Sequence, residues 1–244
     1  LYLKHMNRNI VITGASSEIG LAIARKVIKS GDTAVLAGNR NIVACQVLAD
    51  EKPGQIQLRM VDLNDRSALS IFCRELSEVD ILINAAGCTV TGLLPGLEKE
   101  DIDRMINVNI QALVQLCQAV VPGMVARRDG CIVNISSVTA QRANRGQTVY
   151  AGTKGFVESF TRGLAAEYGP RGIRVNCVAP GTIDAGSMRE LLAIAPEEVK
   201  RSNVSGRLGS PDDVAQTVAF LCSPKSGYIN GAVLAVNGGF TNGV

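Results

Sequence analysis

Short apolar runs rich in β-branched residues recur along the chain, separated by longer stretches with helical spacing. The runs cover 9–12, 33–37, 56–61, 80–83, 131–135, 173–178 and 232–236. Runs of this length and composition suit buried parallel strands. Helical stretches fall at 21–29, 42–51, through 71–76, at about 102–127, at 150–168 and from 211 to 221. The alternation predicts an α/β fold: a doubly wound parallel sheet of about seven strands with helices on both faces. No repeat or linker interrupts it, so residues 9–244 read as one domain. Residues 1–8 read as a leader, with Met6 a natural start and 1–5 an added remnant. The segment 182–209 is polar and poorly periodic, with short helical pieces around 188–194 and 197–201. An insert at a strand's carboxyl end is the usual place for a substrate lid.

Composition removes several function classes. A net charge of +3 over 244 residues is too mild for a nucleic-acid or anionic-membrane surface. An aromatic content of 4%, with no Trp, argues against base stacking. No apolar run reaches the roughly 18 residues of a spanning helix. No signal-peptide pattern opens the chain. The expectation is a cytoplasmic protein with no nucleic-acid or membrane partner. The seven cysteines include no C-x-x-C pair and read as reduced, mostly buried residues. The single histidine, His5, lies in the leader. That removes histidine triads and makes a zinc site unexpected, so no metal is assigned.

The acid–base group must then be something else. Tyr150 and Lys154 stand on one face of a helix. A cation within about 4–6 Å of a phenol lowers its pKa from the ordinary value of about 10. Ser137 lies upstream, across a loop that can fold back and bring its hydroxyl beside the phenol. The three residues read as a proton-transfer site. Tyr150 gives or takes the proton, and Ser137 steers the oxygen being transformed.

The first strand runs into Thr13-Gly14-Ala15-Ser16-Ser17-Glu18-Ile19-Gly20 and then a helix. Strand, glycine turn and helix place backbone N–H groups where a pyrophosphate can sit, against Gly14, Ser16, Ser17, Ile19 and Gly20. The second strand ends in Gly38-Asn39-Arg40-Asn41. A carboxylate at such a tip holds the ribose diol of NAD. Its absence, with Asn39 and Arg40 in its place, favours the 2′-phosphate of NADP over NAD; Arg40 also reads as a plain exposed arginine. Asp62-Leu63 closes the third strand, where a polar side chain either accepts from an adenine amine or caps the next helix. The small residues of Asn84-Ala85-Ala86-Gly87 let a ligand approach the backbone. Asn109 lies inside the long apolar helix, where an Asn is costly unless paired; it either kinks the helix or holds a water. Pro122 is expected to bend the same helix. Arg142 and Arg145, in the loop before Tyr150, either meet an acidic substrate or are ordinary exposed arginines.

Taken in order over about residues 9–240, these motifs resemble the short-chain dehydrogenase/reductase family. They are the turn at 13–20, Asn84-Ala85-Ala86-Gly87, Asn109, Ser137, Tyr150-x-x-x-Lys154 and Pro180-Gly181. The resemblance implies a Rossmann-type sheet and an NADPH-dependent oxidoreductase. Tyr150 would be the acid in reduction and the base in oxidation. Lys154 would lower the Tyr150 pKa and hold the nicotinamide ribose, and Ser137 would bond the substrate carbonyl. Asn109 would anchor a water linking Lys154 to solvent. The Gly14 turn would carry the pyrophosphate, Asp62 and Leu63 the adenine, and Asn84, with Ala85 and Gly87, the adjacent ribose. Ile183, just after Pro180 and Gly181, would meet the carboxamide.

Within the family the chain is most similar to the bacterial β-ketoacyl-ACP reductases. The likeness rests on length, Gly206-Arg207-Leu208-Gly209-Ser210-Pro211 and Asn237-Gly238-Gly239-Phe240. Arg128 and Arg171 match positions where those enzymes present arginines to an acidic acyl carrier protein. Family members usually assemble through the helices at about 102–127 and 150–168, which implies a homotetramer or homodimer. Three positions depart from the family pattern. Glu18 stands where the family nearly always has Gly, Ser17 replaces an Arg of many NADP-dependent members, and Ala185 replaces a frequent Thr. The activity implied is reduction of a carrier-bound β-ketoacyl thioester, in fatty-acid or polyketide/polyene-type synthesis. The alternatives are an NAD(P)-dependent dehydrogenase of a small alcohol, sugar or steroid, and a non-catalytic member acting as a subunit.

Overall fold

A computed structural model describes residues 7–39, 42–186 and 204–240. Every apolar run forms a strand: β1 (Asn9–Thr13), β2 (Thr33–Gly38), β3 (Ile56–Met60), β4 (Ile81–Asn84), β5 (Gly130–Ile135), β6 (Ile173–Pro180) and β7 (Val233–Val236). The strands are parallel, in the order β3-β2-β1-β4-β5-β6-β7. The chain therefore reverses its direction of growth between β1 and β4. A crevice opens at the carboxyl ends of the strands at such a reversal.

Successive side chains on a strand point to opposite faces, so both faces of each strand must be apolar. Ile10 and Ile12 of β1 and Ile81 and Ile83 of β4 pack beneath α1 (Glu18–Val27), α2 (Val43–Glu51) and a late helix, α7 (Pro211–Leu221). Val11, Leu82, Ile132 and Val175 face α3 (Arg66–Arg74), α5 (Ala112–Arg127) and α6 (Thr148–Tyr168). The doubly wound, single-sheet architecture is thus as the alternation predicts.

Caps set the helix boundaries. Ser17 accepts from Gly20 N, so α1 starts at Glu18, earlier than its apolar spacing suggests. Asp65, not Asp62, caps α3 by accepting from Ser67 N and Ala68 N, which settles one of the two roles open to Asp62. α7 begins with Pro211 behind a reciprocal Ser210–Asp213 capping box. α4 (Lys99–Ile106) continues through a π turn, Asn107–Gln111, into α5, with Pro122 inside the last helix. The helix Lys99–Arg127 has 29 residues and holds an 18-residue stretch of mean hydropathy 1.4, so it is long and apolar enough to cross a membrane, which the sequence reading did not expect. In the fold, its Leu116, Val120 and Met124 are buried against the sheet. The proposed helical pieces at 188–194 and 197–201, and with them most of the lid segment, lie outside the described residues.

Leu82 is fully buried in the centre of the sheet. Leu82→Ala is expected to lower the unfolding free energy by about 2–5 kcal/mol, read from the urea midpoint.

Candidate active site

The carboxyl edge of the sheet gathers the candidate residues. β1 leads into the glycine turn, where Gly14 has φ +66° and a Cβ would lie 2.6 Å from Ala86 Cα. A Cβ at Gly20 would lie 2.2 Å from the Gly14 carbonyl oxygen. The turn therefore rests directly on the Ala85-Ala86 backbone and on the start of α1, which only glycine permits. Ser17 Oγ donates to Gly14 O at 2.8 Å and accepts from Gly20 N at 3.0 Å. This arrangement leaves a helix N-terminus facing the crevice, a fit for the phosphates of a dinucleotide. Glu18 is exposed as the first helical residue and does not line the cleft.

The cleft has a volume of about 670 Å³. Gly14, Ser16, Ser17, Asn39, Asp62, Leu63, Ala85 and Gly87 line it, which brings eight of the predicted cofactor contacts to one cleft. Arg40 lies outside the described residues. Asn84 turns the other way: its Nδ2 donates to Asn134 Oδ1 at 2.9 Å, and Asn134 Nδ2 reaches Thr161 Oγ1 at 2.9 Å. Its side chain is thus part of the core between β4, β5 and α6, which corrects the expectation that it meets the ribose. Ile183 is also buried, packed in the core face beneath α1 and α7. Pro180 ends β6, and Gly181 N donates to Val236 O at 2.9 Å.

The candidate proton-transfer residues stand beside this cleft, where a Cβ at Gly87 would lie 3.3 Å from Lys154 Nζ. Ser136 and Ser137 follow β5, and Ser136 Oγ reaches Lys154 O at 3.1 Å and Glu158 Oε1 at 3.2 Å. Those contacts fix the end of β5 against the face of α6 that carries Tyr150 and Lys154. Ser137 lies near enough to the Tyr150 phenol to favour its ionised form, while its Oγ donates to Thr139 Oγ1 at 3.0 Å. Lys154 is only 4% exposed; its Nζ donates to Ile135 O at 2.9 Å and lies 5.8 Å from the centroid of the Tyr150 ring. Asn109 sits in the π turn with both amide hydrogens and one of its two Oδ1 lone pairs engaged. Its Nδ2 donates to Cys88 O at 2.9 Å and Thr153 Oγ1 at 3.0 Å, and its Oδ1 accepts from Cys88 N at 2.9 Å. The interior Asn is therefore paired, and it ties the Gly87-Cys88 loop to α6.

The electrostatics correct one expectation. Burial pushes the Tyr150 phenol above its ordinary value, against the opposing effect of the nearby Ser137. Burial also pushes the Lys154 ammonium down, to about 8. The ammonium is spent on the Ile135 carbonyl rather than on the phenol, so desolvation outweighs the cation's expected acidifying effect.

Sequence reasoning missed several residues. Thr153 joins the Ser–Tyr–Lys face by donating to Tyr150 O at 2.8 Å while accepting from Asn109. Its place one turn after Tyr150 was the available signal. Arg104, Cys88 and Val108 complete the cleft wall. Arg104 pairs with Asp101 at 2.9 Å and brings a positive charge to the cleft. Nothing in its local sequence marks it. Arg128 and Arg171 are adjacent, with Arg128 Nη2 donating to Pro170 O at 3.2 Å. They precede β5 and β6 and so occupy the amino edge of the sheet, opposite Ser137 and Tyr150.

A lysine depressed to about 8 binds fewer protons when folded than when unfolded, where its value is about 10.4. Its contribution to stability therefore rises with pH between those two values. The urea midpoint of the native protein is expected to gain on that of Lys154→Met as pH climbs through that window. A gap that stays constant would show an ordinary, solvated lysine.

The chain matches, over residues 14–241, a family model described as enoyl-(acyl carrier protein) reductase. It is 34% identical over 241 residues to the 3-oxoacyl-[acyl-carrier-protein] reductase FabG of Chlamydia trachomatis, covering 96% of this chain and 97% of that one. It is 37% identical over 240 residues to the protein of the same name from Thermotoga maritima, covering 94% and 96%. Among solved structures, one from Beutenbergia cavernae is described as an NAD(P)-dependent gluconate 5-dehydrogenase with NADP bound. It superposes with a TM-score of 0.91 at 30% identity and 98% coverage of both chains. Another, described as a β-ketoacyl-ACP reductase, gives 0.87 at 31% identity over 97% of this chain and 99% of the other. With this sheet, this glycine turn and this Ser–Tyr–Lys face, the chain belongs to the short-chain dehydrogenase/reductase family of oxidoreductases.

Proposed function

We propose that the protein is a cytoplasmic, NADPH-dependent reductase that turns a carrier-bound β-ketoacyl thioester into its β-hydroxyacyl form. The observation that carries this reading is the convergence of Ser137, Tyr150 and Lys154 beside the Gly87 end of a cleft built for a dinucleotide. The named relatives from Chlamydia and Thermotoga support the substrate class. The NADP bound in the Beutenbergia structure supports the choice of NADP over NAD.

The residues fit the cofactor. The Gly14 turn and the start of α1 would hold the pyrophosphate, Asp62 and Leu63 the adenine, and Asn39 the adenosine ribose end of the cleft. Tyr150 and Lys154 would flank the nicotinamide ribose. Bound there, the reduced nicotinamide supplies a hydride to a carbonyl carbon. The chain's own task is to place the carbonyl and deliver a proton to its oxygen. Ser137 donates to that oxygen and orients it. Tyr150, held above its ordinary pKa, keeps its proton at neutral pH, the state a general acid needs. Transfer becomes favourable only as negative charge grows on the neighbouring oxygen. Lys154, depressed to about 8, is still mostly cationic at neutrality and supports the phenolate left behind. In the same reading, Asn109 anchors a water beside Lys154 through which the proton is replaced.

Arg128 and Arg171 are assigned to the acidic surface of the carrier. Because they lie on the amino edge, a carrier docked there serves the active site of a second subunit. The proposal therefore includes a homotetramer or homodimer. A second reading, oxidation of a sugar acid, is favoured by structural neighbours described as gluconate dehydrogenases.

The test follows NADPH absorbance with acetoacetyl thioesters, free and carrier-bound, and NADP⁺ reduction with gluconate. Tyr150→Phe is expected to lose about 10²-fold or more in rate on either thioester. Arg128→Glu with Arg171→Glu is expected to lose rate on the carrier-bound substrate alone. Near-normal turnover by Tyr150→Phe overturns the mechanism. Turnover of gluconate without turnover of thioesters overturns the substrate.

A further inference from the structure

A second cavity, of about 700 Å³, opens at the amino edge of the sheet, at the opposite end from the cleft. Two thiols line it, Cys131 at the start of β5 and Cys222 at the C-cap of α7, each 6% exposed. Each thiol lies close enough to shift the titration of the other, and Cys131 Sγ donates to the carbonyl of Leu221, the residue before Cys222, at 3.5 Å. The two elements are thus already in contact through the cysteines.

Two guanidiniums flank the pair. Arg174 Nη2 lies 3.6 Å from Cys131 Sγ and donates to Leu221 O at 2.9 Å. Arg8 Nη1 lies 3.5 Å from Cys222 O. The Arg8 charge is met by Asp32 at 2.5 Å, but among the described residues no ion pair neutralises Arg174. Asp129 is the acid that opposes them. The nearby Cys222 draws the Cys131 thiol below its ordinary value against burial, aided by Arg174 and Arg8. The same proximity and burial push Cys222 up. By contrast, burial raises Cys117 and Cys177 to about 12, which leaves them inert. The pair is therefore asymmetric, with one thiol suited to attack and its neighbour to resolve.

We propose that Cys131 and Cys222 form a redox-active dithiol that a small disulfide, entering through this cavity, oxidises to an intrachain disulfide. Cys131 Sγ, as thiolate, attacks one sulfur of the incoming disulfide, forming a mixed disulfide and expelling one thiolate. Cys222 then loses its proton and attacks Cys131 Sγ, and the second small thiolate leaves. The two protein thiols are oxidised by two electrons, the small disulfide is reduced to two thiols, and the two protein protons end on the released sulfurs. The bond would pin the start of β5 to the end of α7, far from Tyr150.

The test exposes the folded full-length protein to glutathione disulfide and maps the products by mass spectrometry. A parallel sample is unfolded in urea. The expected product in the folded sample is a Cys131–Cys222 link, with the loss of two hydrogens, formed ahead of any other cysteine pair. Cys131→Ser and Cys222→Ser should each reduce that product to background. The proposal is overturned by a glutathione adduct that never closes, by no reaction of the folded chain, or by a link that forms only in urea. The mapping of the unmodified chain stands by itself should either serine variant fold poorly.

Discussion

One buried ammonium ties the active end of the molecule together. Lys154 is removed from water, and its ammonium donates to one backbone carbonyl, Ile135 O, at 2.9 Å. Removing a charge from water is costly, and the fall of its pKa to about 8 records that cost. The position is held because α6 is fastened to β5 by contacts on either side. Ser136 bonds the Lys154 carbonyl and Glu158, and Asn134 bonds Thr161. The same contacts bring Ser137 to Tyr150. The Ser–Tyr–Lys face is therefore a consequence of how one helix lies across one strand.

The sheet explains why this junction lies beside a nucleotide-sized cleft. With all seven strands parallel, every carboxyl end points one way. The reversal of strand order between β1 and β4 opens the crevice next to β5. Asn109 adds a third anchor. Its amide joins the loop after β4 to α6 from within the π turn, an irregularity frequent at functional sites. The amino edge of the sheet is chemically separate and holds Arg128, Arg171 and the neighbouring thiols Cys131 and Cys222.

Periodicity made the strands, the helical stretches between them and the two apolar faces legible, because both faces of a parallel sheet must be buried. The turn at 13–20 was legible for a similar reason: Gly14 and Gly20 touch backbone that no side chain could approach. Tyr150, Lys154 and Ser137 were found from helix spacing and motif order. What escaped depends on tertiary placement. Asn84 ends β4 facing inward, and a one-residue change of direction along a strand cannot be judged from a short motif. Arg104 reaches the cleft only because α4 is laid across its mouth. The sign of the Tyr150 shift was misjudged because charge proximity can be inferred from spacing, whereas desolvation requires the surrounding packing. The opposite placement of Arg128 and Arg171 follows from the helix–strand order, a consequence that motif matching alone does not draw.

Glu18 gives the account its sharpest exposure, since it sets a carboxylate at the helix start that should receive a pyrophosphate. It stands outside the cleft wall, which makes it compatible with cofactor binding. A crystal structure of the protein with NADPH tests this most directly. The account predicts the pyrophosphate on the turn from Gly14 to Gly20, Glu18 turned to solvent, and the nicotinamide within reach of Tyr150 and Ser137. A cofactor bound elsewhere, or Glu18 occupying the phosphate position, would contradict it.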